Sequence, residues 1–353
     1  MIARYLAPYS KRNCLQLLED FRDFQEVAPG SIEDSVTLDF GNRDPHLFFS
    51  FLIHGDEFGS FPAVNFFIRE ALKKKPRYEG KISFILGNPL ATSVGERFID
   101  EDLNRVFFSD LSGKDLSYER RRAFSIQQAL KNADFLLDFH QTREASPSSF
   151  FIFPFDTLSY FWARSIGGAS FFVTQEPKSY FSAGFYSIDE YFRDLNKPSL
   201  CLELGKKGFS SDAFFITLSR LHRALAVARK RRKSFSGFLE TVIRSSEFKF
   251  LKLTQSVSFE NSKDSLKRGF YNFKKVQRGA LLGKRENGEL IRSPLKAFTL
   301  FPKYLGSNKN FNEMTCLSSP MLMLAEELAE HPLALYQGEL ENTRSSKELQ
   351  LFH

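Results

Sequence analysis

The segment LFFSFLIHGDE, residues 47–57, joins a largely apolar run to a short polar turn. An apolar run of this length is typical of a buried strand. His54 and Glu57 follow it with two residues between them, so both side chains can reach one metal ion from the turn. A second apolar run, Phe135–Phe139, ends at His140, which would bring a third ligand from another strand. Two imidazoles and one carboxylate leave one zinc coordination position open, as a catalytic site requires.

Length and composition favour a folded globular protein. A chain of 353 residues with 42% hydrophobic residues can form one large domain or two ordinary ones. Its 41 phenylalanines fall in short runs of strand length, so we expect no membrane-spanning segment. The stretch Met1–Tyr9 lacks the apolar core of a secretory signal, and we expect a cytoplasmic location. Cys14, Cys201 and Cys316 are too few and too scattered for a disulfide framework.

The basic residues are concentrated in three short clusters. The formal net charge is +7, and the clusters are Lys73–Lys75, Arg120–Arg122 and Arg229–Lys233. We interpret Arg229–Lys233 as a solvated helix end or a linker, because no aromatic interleaving or nucleic-acid-binding motif accompanies it. We therefore expect neither a nucleic acid nor a membrane as a partner. The basic balance weakly favours small anionic substrates.

Residues 47–228 have the pattern of an α/β domain, in which strand-length runs alternate with segments of helical periodicity. The predicted strands are Leu47–Ile53, Lys81–Leu86, Phe135–Phe139 and Leu200–Leu204. The predicted helices are Phe61–Leu72, Arg120–Lys131, Leu158–Ile166 and Ser211–Arg232.

After the last basic cluster the pattern changes to short alternating runs separated by turns. The runs are Phe238–Ile243, Phe248–Leu253, Gly269–Phe273, Leu281–Leu282, Leu290–Ile291 and Ala297–Phe301. We therefore predict a catalytic α/β domain over residues 1–233 and a small all-β domain over residues 234–353. We also expect a terminal helix at Met321–His331 and a polar tail at Asn342–His353.

Further polar residues stand at or just after predicted strand ends, where α/β proteins collect their sites. They are Arg97, Asn104 and Arg105 in the run Asp102–Arg105, Asp138 two residues before His140, Arg193, and Glu203 in the run Glu203–Gly205. In this order the segments resemble those of the succinylglutamate desuccinylase and aspartoacylase family, a branch of the zinc carboxypeptidase superfamily. The resemblance covers roughly residues 47–210. It implies a zinc-carboxypeptidase-like mixed sheet flanked by helices, followed by a small all-β domain.

The resemblance assigns a metal and two catalytic residues. It implies one Zn²⁺ per chain, bound by His54, Glu57 and His140. Glu203 matches the general base, which takes a proton from a zinc-activated water and returns it to the leaving nitrogen. Arg97 matches the arginine that stabilises the oxyanion of the tetrahedral intermediate together with zinc.

Substrate-binding and supporting roles are also implied. Asn104 and Arg105 match the pair that holds a substrate carboxylate, a task that suits a planar guanidinium. Arg193 lies ten residues before Glu203, the spacing of another substrate-binding arginine. Asp138 shares a strand face with His140 and would hold its imidazole by a hydrogen bond.

The sequence departs from the family pattern at Phe301. Phe301 precedes Pro302 where aspartoacylases carry a Tyr-Pro pair whose hydroxyl is positioned to reach the active site. The missing hydroxyl argues against N-acetylaspartate as the substrate.

The predicted function is a zinc-dependent amidohydrolase that cleaves the amide bond of an N-acylated amino acid or similar small carboxylate. One alternative is a carboxypeptidase-like peptidase, because Asn104 and Arg105 would hold the C-terminal carboxylate of a short peptide equally well. The other is a non-catalytic zinc-binding regulatory protein. A β domain that covers the cleft favours small substrates, and the presence of Arg97 and Glu203 argues for catalysis.

Overall fold

Strands and helices alternate through the first two thirds of the chain, and strands dominate the rest. The computed structural model describes residues 11–107, 116–176, 186–233, 248–304 and 320–335. The strands are β1 (Ser35–Asp39), β2 (Leu47–Phe51), β3 (Lys81–Leu86), β4 (Phe135–Thr142), β5 (Phe150–Ile152), β6 (Phe171–Thr174), β7 (Ser199–Lys206), β8 (Lys249–Ser258), β9 (Ser265–Leu266), β10 (Lys275–Val276), β11 (Leu281–Lys284), β12 (Leu290–Arg292), β13 (Ala297–Leu300) and β14 (Pro320–Glu327). The helices are α1 (Lys11–Val27), α2 (Phe61–Lys73), α3 (Pro89–Val94), α4 (Tyr118–Leu130), α5 (Thr157–Ile166), α6 (Ile188–Asp194), α7 (Ser211–Lys233) and α8 (Pro332–Leu335), with 3₁₀ turns at Phe58–Ser60 and Leu103–Arg105.

Among the described residues, eleven strands form one mixed sheet in the order β1-β3-β2-β4-β7-β5-β6-β8-β14-β13-β10. The strands β3, β2, β4 and β7 are parallel neighbours. The strand β5 lies antiparallel to β7, and β6 and β8 continue parallel to β5. A smaller antiparallel sheet has the order β12-β11-β9. The predicted mixed α/β sheet with a small C-terminal β sheet is confirmed.

Helices cover both faces of the central parallel strands. Phe49 and Phe51 of β2 point into an apolar core shared with α1, α2, α5 and α7. Phe48 points the other way, into a second core formed with α4 and α6. Successive side chains of a strand leave opposite faces, so a strand covered on both sides is apolar throughout. This explains why residues 47–53 are apolar apart from Ser50.

The predicted strands and helices between residues 47 and 233 are confirmed with small shifts at their ends. The strand Lys81–Leu86 has the predicted bounds. The helix α4 starts at Tyr118 rather than Arg120, because Ser117 caps it by accepting from the Arg120 N–H. The helix α1 and the strand β1 were not predicted.

The predicted strand at Gly269–Phe273 is wrong, because this segment forms turns between β9 and β10. Gly269 and Phe273 have φ angles of +94° and +67°. A left-handed backbone at these two positions is incompatible with an extended strand. Phe270 and Phe273 are nevertheless buried, each 6% exposed, which accounts for the strand-like apolar pattern.

The predicted terminal helix at Met321–His331 is also wrong. Pro320–Glu327 forms β14, which pairs with β8 on one side and β13 on the other. Leucine, methionine, alanine and glutamate favour helices in isolation. Pairing with two strands outweighs that local preference, since Met321, Leu322, Leu324 and Ala325 become fully buried.

The domain boundary predicted near residue 234 falls among residues 234–247, outside the described residues, and stays a prediction. The predicted strand Phe238–Ile243 and the tail Asn342–His353 also lie outside them. Beyond the gap, β8 pairs in parallel with β6. The large sheet therefore continues from the first part of the chain into the second.

The basic cluster Arg229–Lys233 forms the last turn of α7. Arg232 makes ion pairs with Asp44 at 2.6 Å and Glu79 at 3.2 Å. Basic residues at a helix C-terminus also interact favourably with the helix dipole. The interpretation of this cluster as a helix end is therefore confirmed. In the described ranges, every helix is too short or too polar to cross a bilayer.

Candidate metal and catalytic site

Three parallel strands end side by side and bring the candidate residues to one edge of the sheet. His54 and Glu57 follow β2, His140 lies in β4, and Glu203 lies in β7. In the pairing of β4 with β7, His140 stands opposite Glu203, so both side chains leave the same face. The tertiary structure thereby joins residues that are far apart in the sequence.

The turn after β2 depends on Gly55. A Cβ at this position would overlap the backbone of Ala91 and Thr92 in α3. The N–H of Gly55 donates to the carbonyl oxygen of Arg97 at 3.1 Å. The turn and the segment that carries Arg97 are therefore held in a fixed relation.

His54, Glu57 and His140, hereafter the ligand cluster, have the geometry of a three-ligand metal site. One carboxylate oxygen of Glu57 is 2.8 Å from Nδ1 of His54, and the other is 3.0 Å from Nδ1 of His140. The ligand atoms lie within 4.8 Å of one another, and all three side chains are buried. Two imidazole nitrogens and a carboxylate are a donor set that suits zinc. The residues present therefore fit the predicted Zn²⁺.

Two further carboxylates hold the imidazoles from the opposite side. Nε2 of His140 is 2.5 Å from Oδ2 of Asp138, and Nε2 of His54 is 3.1 Å from Oδ1 of Asp102. Such contacts orient each ring and leave Nδ1 for a metal. The expected contact between Asp138 and His140 is present. Asp102 adds an equivalent contact that the sequence analysis missed, although its place in the Asp102–Arg105 run was a signal.

Charge interactions keep Glu57 ionised. Burial alone would raise its pKa, but the charge of His54 and the hydrogen bonds of both histidines lower the pKa well below its ordinary value. The backbone N–H of Gln141 also donates to Oε2 of Glu57 at 2.9 Å. Glu57 is therefore a carboxylate, the form that binds a metal.

A second grouping of metal-type ligands, Asp138, His140 and Cys201, shares His140 with the ligand cluster. Its other members are poorly suited to a metal. Oδ1 of Asp138 accepts from the Ser50 hydroxyl at 2.7 Å. Burial raises the pKa of the Cys201 thiol well above its ordinary value, and a protonated thiol is a weak ligand. Of the two groupings, the ligand cluster is the better metal site.

Arg97 lies against the ligand cluster with its charge compensated. Its Nη2 donates to Oδ2 of Asp102 at 3.0 Å, and its Nη1 donates to Oε1 of Glu57 at 3.3 Å. Burial would lower the pKa of Arg97, but Asp102 and Glu57 raise it above its ordinary value. A guanidinium held in place in this way is preorganised to stabilise a developing negative charge.

Asn104 and Arg105 occupy the 3₁₀ turn next to Arg97. Oδ1 of Asn104 accepts from the Ile188 N–H at 3.0 Å, and Nδ2 of Asn104 lies 3.5 Å from Nε2 of His140. Arg105 donates from Nη1 to the carbonyl oxygen of Asn104 at 2.8 Å. Asn104 therefore supports the ligand cluster, and the planar guanidinium of Arg105 is the better candidate for binding a carboxylate.

Glu119 holds the loop that leads to this turn, a role that the sequence analysis missed. Its fully buried carboxylate accepts from the N–H groups of Ile99 at 2.7 Å, Asp100 at 3.1 Å and Glu101 at 3.3 Å. Three backbone donors on one carboxylate fix the path of the chain between Arg97 and Arg105.

Glu203 differs from the carboxylates of Glu57, Asp102 and Asp138, because one of its buried oxygens has no hydrogen-bond partner among the described residues. Its side chain is buried, and within the described part of the chain Oε2 has no hydrogen-bond partner. Burial raises the pKa of Glu203 to about 8, against the opposing charge of His140. A carboxyl group in such an environment can take up and release a proton near neutral pH.

Arg193 uses its guanidinium inside the fold. It donates to Oδ2 of Asp189 at 2.7 Å and to the carbonyl oxygen of Ser199 at 3.3 Å, and it stacks over the ring of Phe153. These contacts tie α6 to the start of β7. They give Arg193 a structural role, and its predicted contact with the substrate stays a prediction.

Lys303 and Arg143 are two cations near the site that the sequence analysis missed. Burial and the charges of Arg97, Arg143 and Arg105 lower the pKa of Lys303 to about 7. Burial and Arg97 likewise lower the pKa of Arg143. Lys303 stands two residues after Phe301 in the C-terminal part of the chain, far in sequence from the metal motifs, and no local pattern indicates its position. Arg143 follows His140 by three residues, and this proximity was a usable signal.

Phe301 directs its ring into apolar surroundings. Its ring centroid is 5.9 Å from that of Phe150, and it packs against the apolar cluster that also contains Phe273. The described residues directly after β13 therefore supply a lysine to the site region, while their phenylalanine belongs to the core.

The fold and the ligand cluster define a class of α/β proteins with a His-Glu-His metal-type site at the edge of a mixed sheet. A model of the succinylglutamate desuccinylase/aspartoacylase catalytic domain matches residues 44–227, more than half of the chain. The chain therefore belongs to this family, as its motifs predict.

Curated relatives match over part of their length. A succinylglutamate desuccinylase from Shewanella frigidimarina is 29% identical over 184 residues, which is 47% of this chain and 52% of the relative. Another, from Pseudoalteromonas atlantica, is 27% identical over 201 residues, which is 51% of this chain and 54% of the relative. The chain spans about half the length of the curated relatives it matches.

Solved structures share the fold over most of the chain. The succinylglutamate desuccinylase of Vibrio parahaemolyticus has a TM-score of 0.64 at 14% identity, covering 84% of this chain and 87% of that one. Murine aminoacylase 3 has a TM-score of 0.54 at 18% identity, covering 82% and 96%. At these identities the similarity shows the fold alone.

Proposed function

We propose that this protein binds one zinc ion through the ligand cluster and hydrolyses the amide bond of an N-acylated amino acid or a similar small carboxylate. The observation that carries the proposal is the position of the unpaired, buried Glu203 beside His140 on the neighbouring strand. A metal-type donor set next to a carboxyl group of raised pKa suits metal-assisted hydrolysis. The names of the relatives, a desuccinylase and an aminoacylase, support the same reaction class.

Zinc at the ligand cluster would supply Lewis acidity, which polarises a carbonyl group and lowers the pKa of a water molecule. The residues of the chain supply the remaining steps. Glu203 takes a proton from the attacking water and returns it to the leaving nitrogen as the carbon–nitrogen bond breaks. Arg97 faces the oxyanion, and Arg105 binds the carboxylate of the amino acid through its planar guanidinium.

Two other functions use the same residues. A peptidase would bind the C-terminal carboxylate of a short peptide at Arg105. A non-catalytic regulatory protein would need the ligand cluster alone. An unpaired carboxyl group costs free energy when buried and gives a regulatory protein nothing, so Glu203 supports catalysis.

The test is metal analysis of the purified chain, followed by assays of the zinc-loaded protein on N-acyl amino acids and on dipeptides. We expect about one zinc ion per chain and faster hydrolysis of the N-acyl amino acids. Faster cleavage of dipeptides would indicate the peptidase. Bound zinc without turnover of either substrate class would indicate the regulatory protein, and absence of metal would overturn the proposal.

A further inference from the structure

Gln141 follows His140 in β4, and its buried side-chain amide is fully hydrogen-bonded inside the fold. Its Oε1 accepts from the N–H groups of Gly59 at 2.7 Å and Gly208 at 3.2 Å. Its Nε2 donates to the carbonyl oxygens of Lys206 at 2.9 Å and Gly208 at 3.0 Å. An amide oxygen accepts two hydrogen bonds and an amide nitrogen donates two, so every position is used.

These hydrogen bonds join two segments that carry residues of the site. Gly59 comes two residues after Glu57, and Gly208 comes five residues after Glu203. The backbone N–H of Gln141 also donates to Oε2 of Glu57 at 2.9 Å. Gln141 therefore contacts the carboxylate of the ligand cluster directly, and it contacts the segment after Glu203 through its side chain.

The regular backbone pairing between β4 and β7 is interrupted at Gln141. His140 pairs with Glu203. The next pair, Thr142 with Lys206, leaves one residue of β4 opposite two residues of β7. Such a bulge bends a strand and changes the direction of its side chains, and bulges are frequent beside active sites. The amide of Gln141 supplies side-chain hydrogen bonds to β7 where the regular pairing is broken.

Two further contacts join the same two segments on either side of the amide. Asp56 makes an ion pair with Lys207. The rings of Phe58 and Phe209 are stacked, with centroids 5.5 Å apart. The segment after β2 and the segment after β7 therefore lie side by side, with the amide hydrogen-bonded to both.

We propose that Gln141 is a positioning residue, whose side-chain amide sets the distance between the metal-binding carboxylate of Glu57 and the carboxyl group of Glu203. The inference rests on the proposed function, in which Glu57 binds zinc and Glu203 transfers the proton. A displacement of about 1 Å between reacting groups can cost about 100-fold in rate. Gln141 acts through these two residues and needs no contact with the substrate.

The first experiment separates catalysis from substrate binding. Gln141→Met keeps the approximate length of the side chain and removes its four hydrogen bonds. In the zinc-loaded full chain, we expect kcat for an N-acyl amino acid to fall about 10- to 100-fold. KM should change less than about three-fold, because Arg105 lies in a different segment. An unchanged kcat, or a loss of zinc that accounts for the whole fall, would overturn the inference.

Asn65→Leu is the matched control for general stability. Asn65 is fully buried in α2, and its Nδ2 donates to the carbonyl oxygen of Leu17 in α1 at 2.9 Å. Losing this buried amide should lower stability to urea, as in Gln141→Met, and should leave kcat within about two-fold of the wild type. An equal loss of kcat in both variants would reduce Gln141 to a residue of general stability and overturn the inference.

A double-mutant cycle with Gly59 tests whether the amide is the link. A Cβ at Gly59 would lie 2.4 Å from Nε2 of Gln141, at the end of a side chain that can move. Gly59→Ala should therefore displace the amide and lower kcat about 10-fold in the wild type. In Gln141→Ala the space is free, and the same change should lower kcat less than about two-fold. Additive losses would contradict the inference.

Crystal structures keep the inference distinguishable from the proposed function, because they need no turnover. We expect Glu203 to move relative to Glu57 by roughly 1 Å in Gln141→Met and to keep its position in Asn65→Leu. If no substrate is hydrolysed, the proposed function fails and these structures still decide the role of Gln141. Unchanged positions of both carboxyl groups in Gln141→Met would overturn the inference even in an active enzyme.

Discussion

The ligand cluster and the neighbouring group of Arg105, Arg143 and Lys303, hereafter the cationic group, have their charges balanced in different ways. In the ligand cluster, carboxylates and imidazoles alternate. Asp102 contacts Nε2 of His54, and Asp138 contacts Nε2 of His140. In the cationic group, the ammonium group of Lys303 feels the positive charges of Arg97, Arg143 and Arg105, and its carboxylate neighbour Asp102 is already engaged by Arg97. A network of paired charges keeps one geometry without a substrate, whereas a partly buried lysine surrounded mainly by like charges is stabilised when an anion binds. The first suits a resident metal and the second suits a substrate that comes and goes.

The largest effect should follow from removing the carboxylate charge of the ligand cluster. Glu57→Gln removes the negative charge that faces Nδ1 of both histidines. We expect bound zinc to fall from about one per chain to a small fraction, and turnover to fall to background. Metal analysis after dialysis measures the first, and assays with added zinc measure the second. Full metal content in Glu57→Gln would show that the metal, if bound, lies elsewhere.

A substitution at Glu203 tests whether this residue acts in catalysis without contributing to metal binding. Glu203→Gln keeps the shape of the side chain and removes its ability to accept a proton. We expect kcat to fall about 10²- to 10⁴-fold, with zinc content unchanged, because the hydrogen bonds that hold the ligand cluster come from Glu57, Asp102 and Asp138 and not from Glu203. The contrast with Glu57→Gln is the informative result. Wild-type turnover in Glu203→Gln would remove this residue from the mechanism.

A substitution at Asp138 tests whether the carboxylate that contacts His140 contributes to metal affinity. Asp138→Asn weakens the hold on Nε2 of His140, and we expect zinc affinity to fall about 10- to 100-fold. A chelator competition assay measures this affinity. Asp189→Asn is the matched control, because Asp189 is also buried but pairs with Arg193. Equal losses of zinc affinity in both variants would mean that Asp138 acts on general stability only.

The smallest effect should be a gain in stability at the cationic group. The pKa of Lys303 is about 7 in the folded protein, below the ordinary value of 10.5. Folding therefore favours the neutral amine, and the stability associated with it is present above pH 10.5 and is lost as the pH falls towards 7. Lys303→Met should stabilise the ligand-free protein by about 1 to 2 kcal/mol near pH 6, after allowance for solvent screening, and the gain should shrink as the pH rises.

Urea unfolding of the ligand-free protein between pH 6 and pH 9 measures this trend. Lys296→Met should show no such trend, because Lys296 is exposed. A loss of stability in Lys303→Met at pH 6 would mean that Lys303 is a structural residue.

Sequence reasoning was most successful where the chemistry is local. The turn with His54 and Glu57 follows directly from a strand, and Asp138 and His140 share a strand face, so their relation is contained in a few adjacent residues. Sequence reasoning failed where pairing with strands distant in the sequence outweighs the local secondary-structure preference. Residues Met321–Ala325 favour a helix on their own and form β14 only because β8 and β13 flank them. Phe270 and Phe273 look like strand residues because they are buried, yet their segment turns through left-handed backbone at Gly269 and Phe273.

The sequence by itself identified the three candidate metal ligands, the strands near them and the family to which the chain belongs. These depend on residue identity and short spacing, which are visible in one dimension. The tertiary structure decided which charges are paired. It placed Asp102 next to Nε2 of His54, left an oxygen of Glu203 without a hydrogen bond, and joined the segment after β13 to the segment after β4 through the buried amide of Asn272. Charge balance depends on distance and burial in three dimensions, and spacing along the chain contains neither.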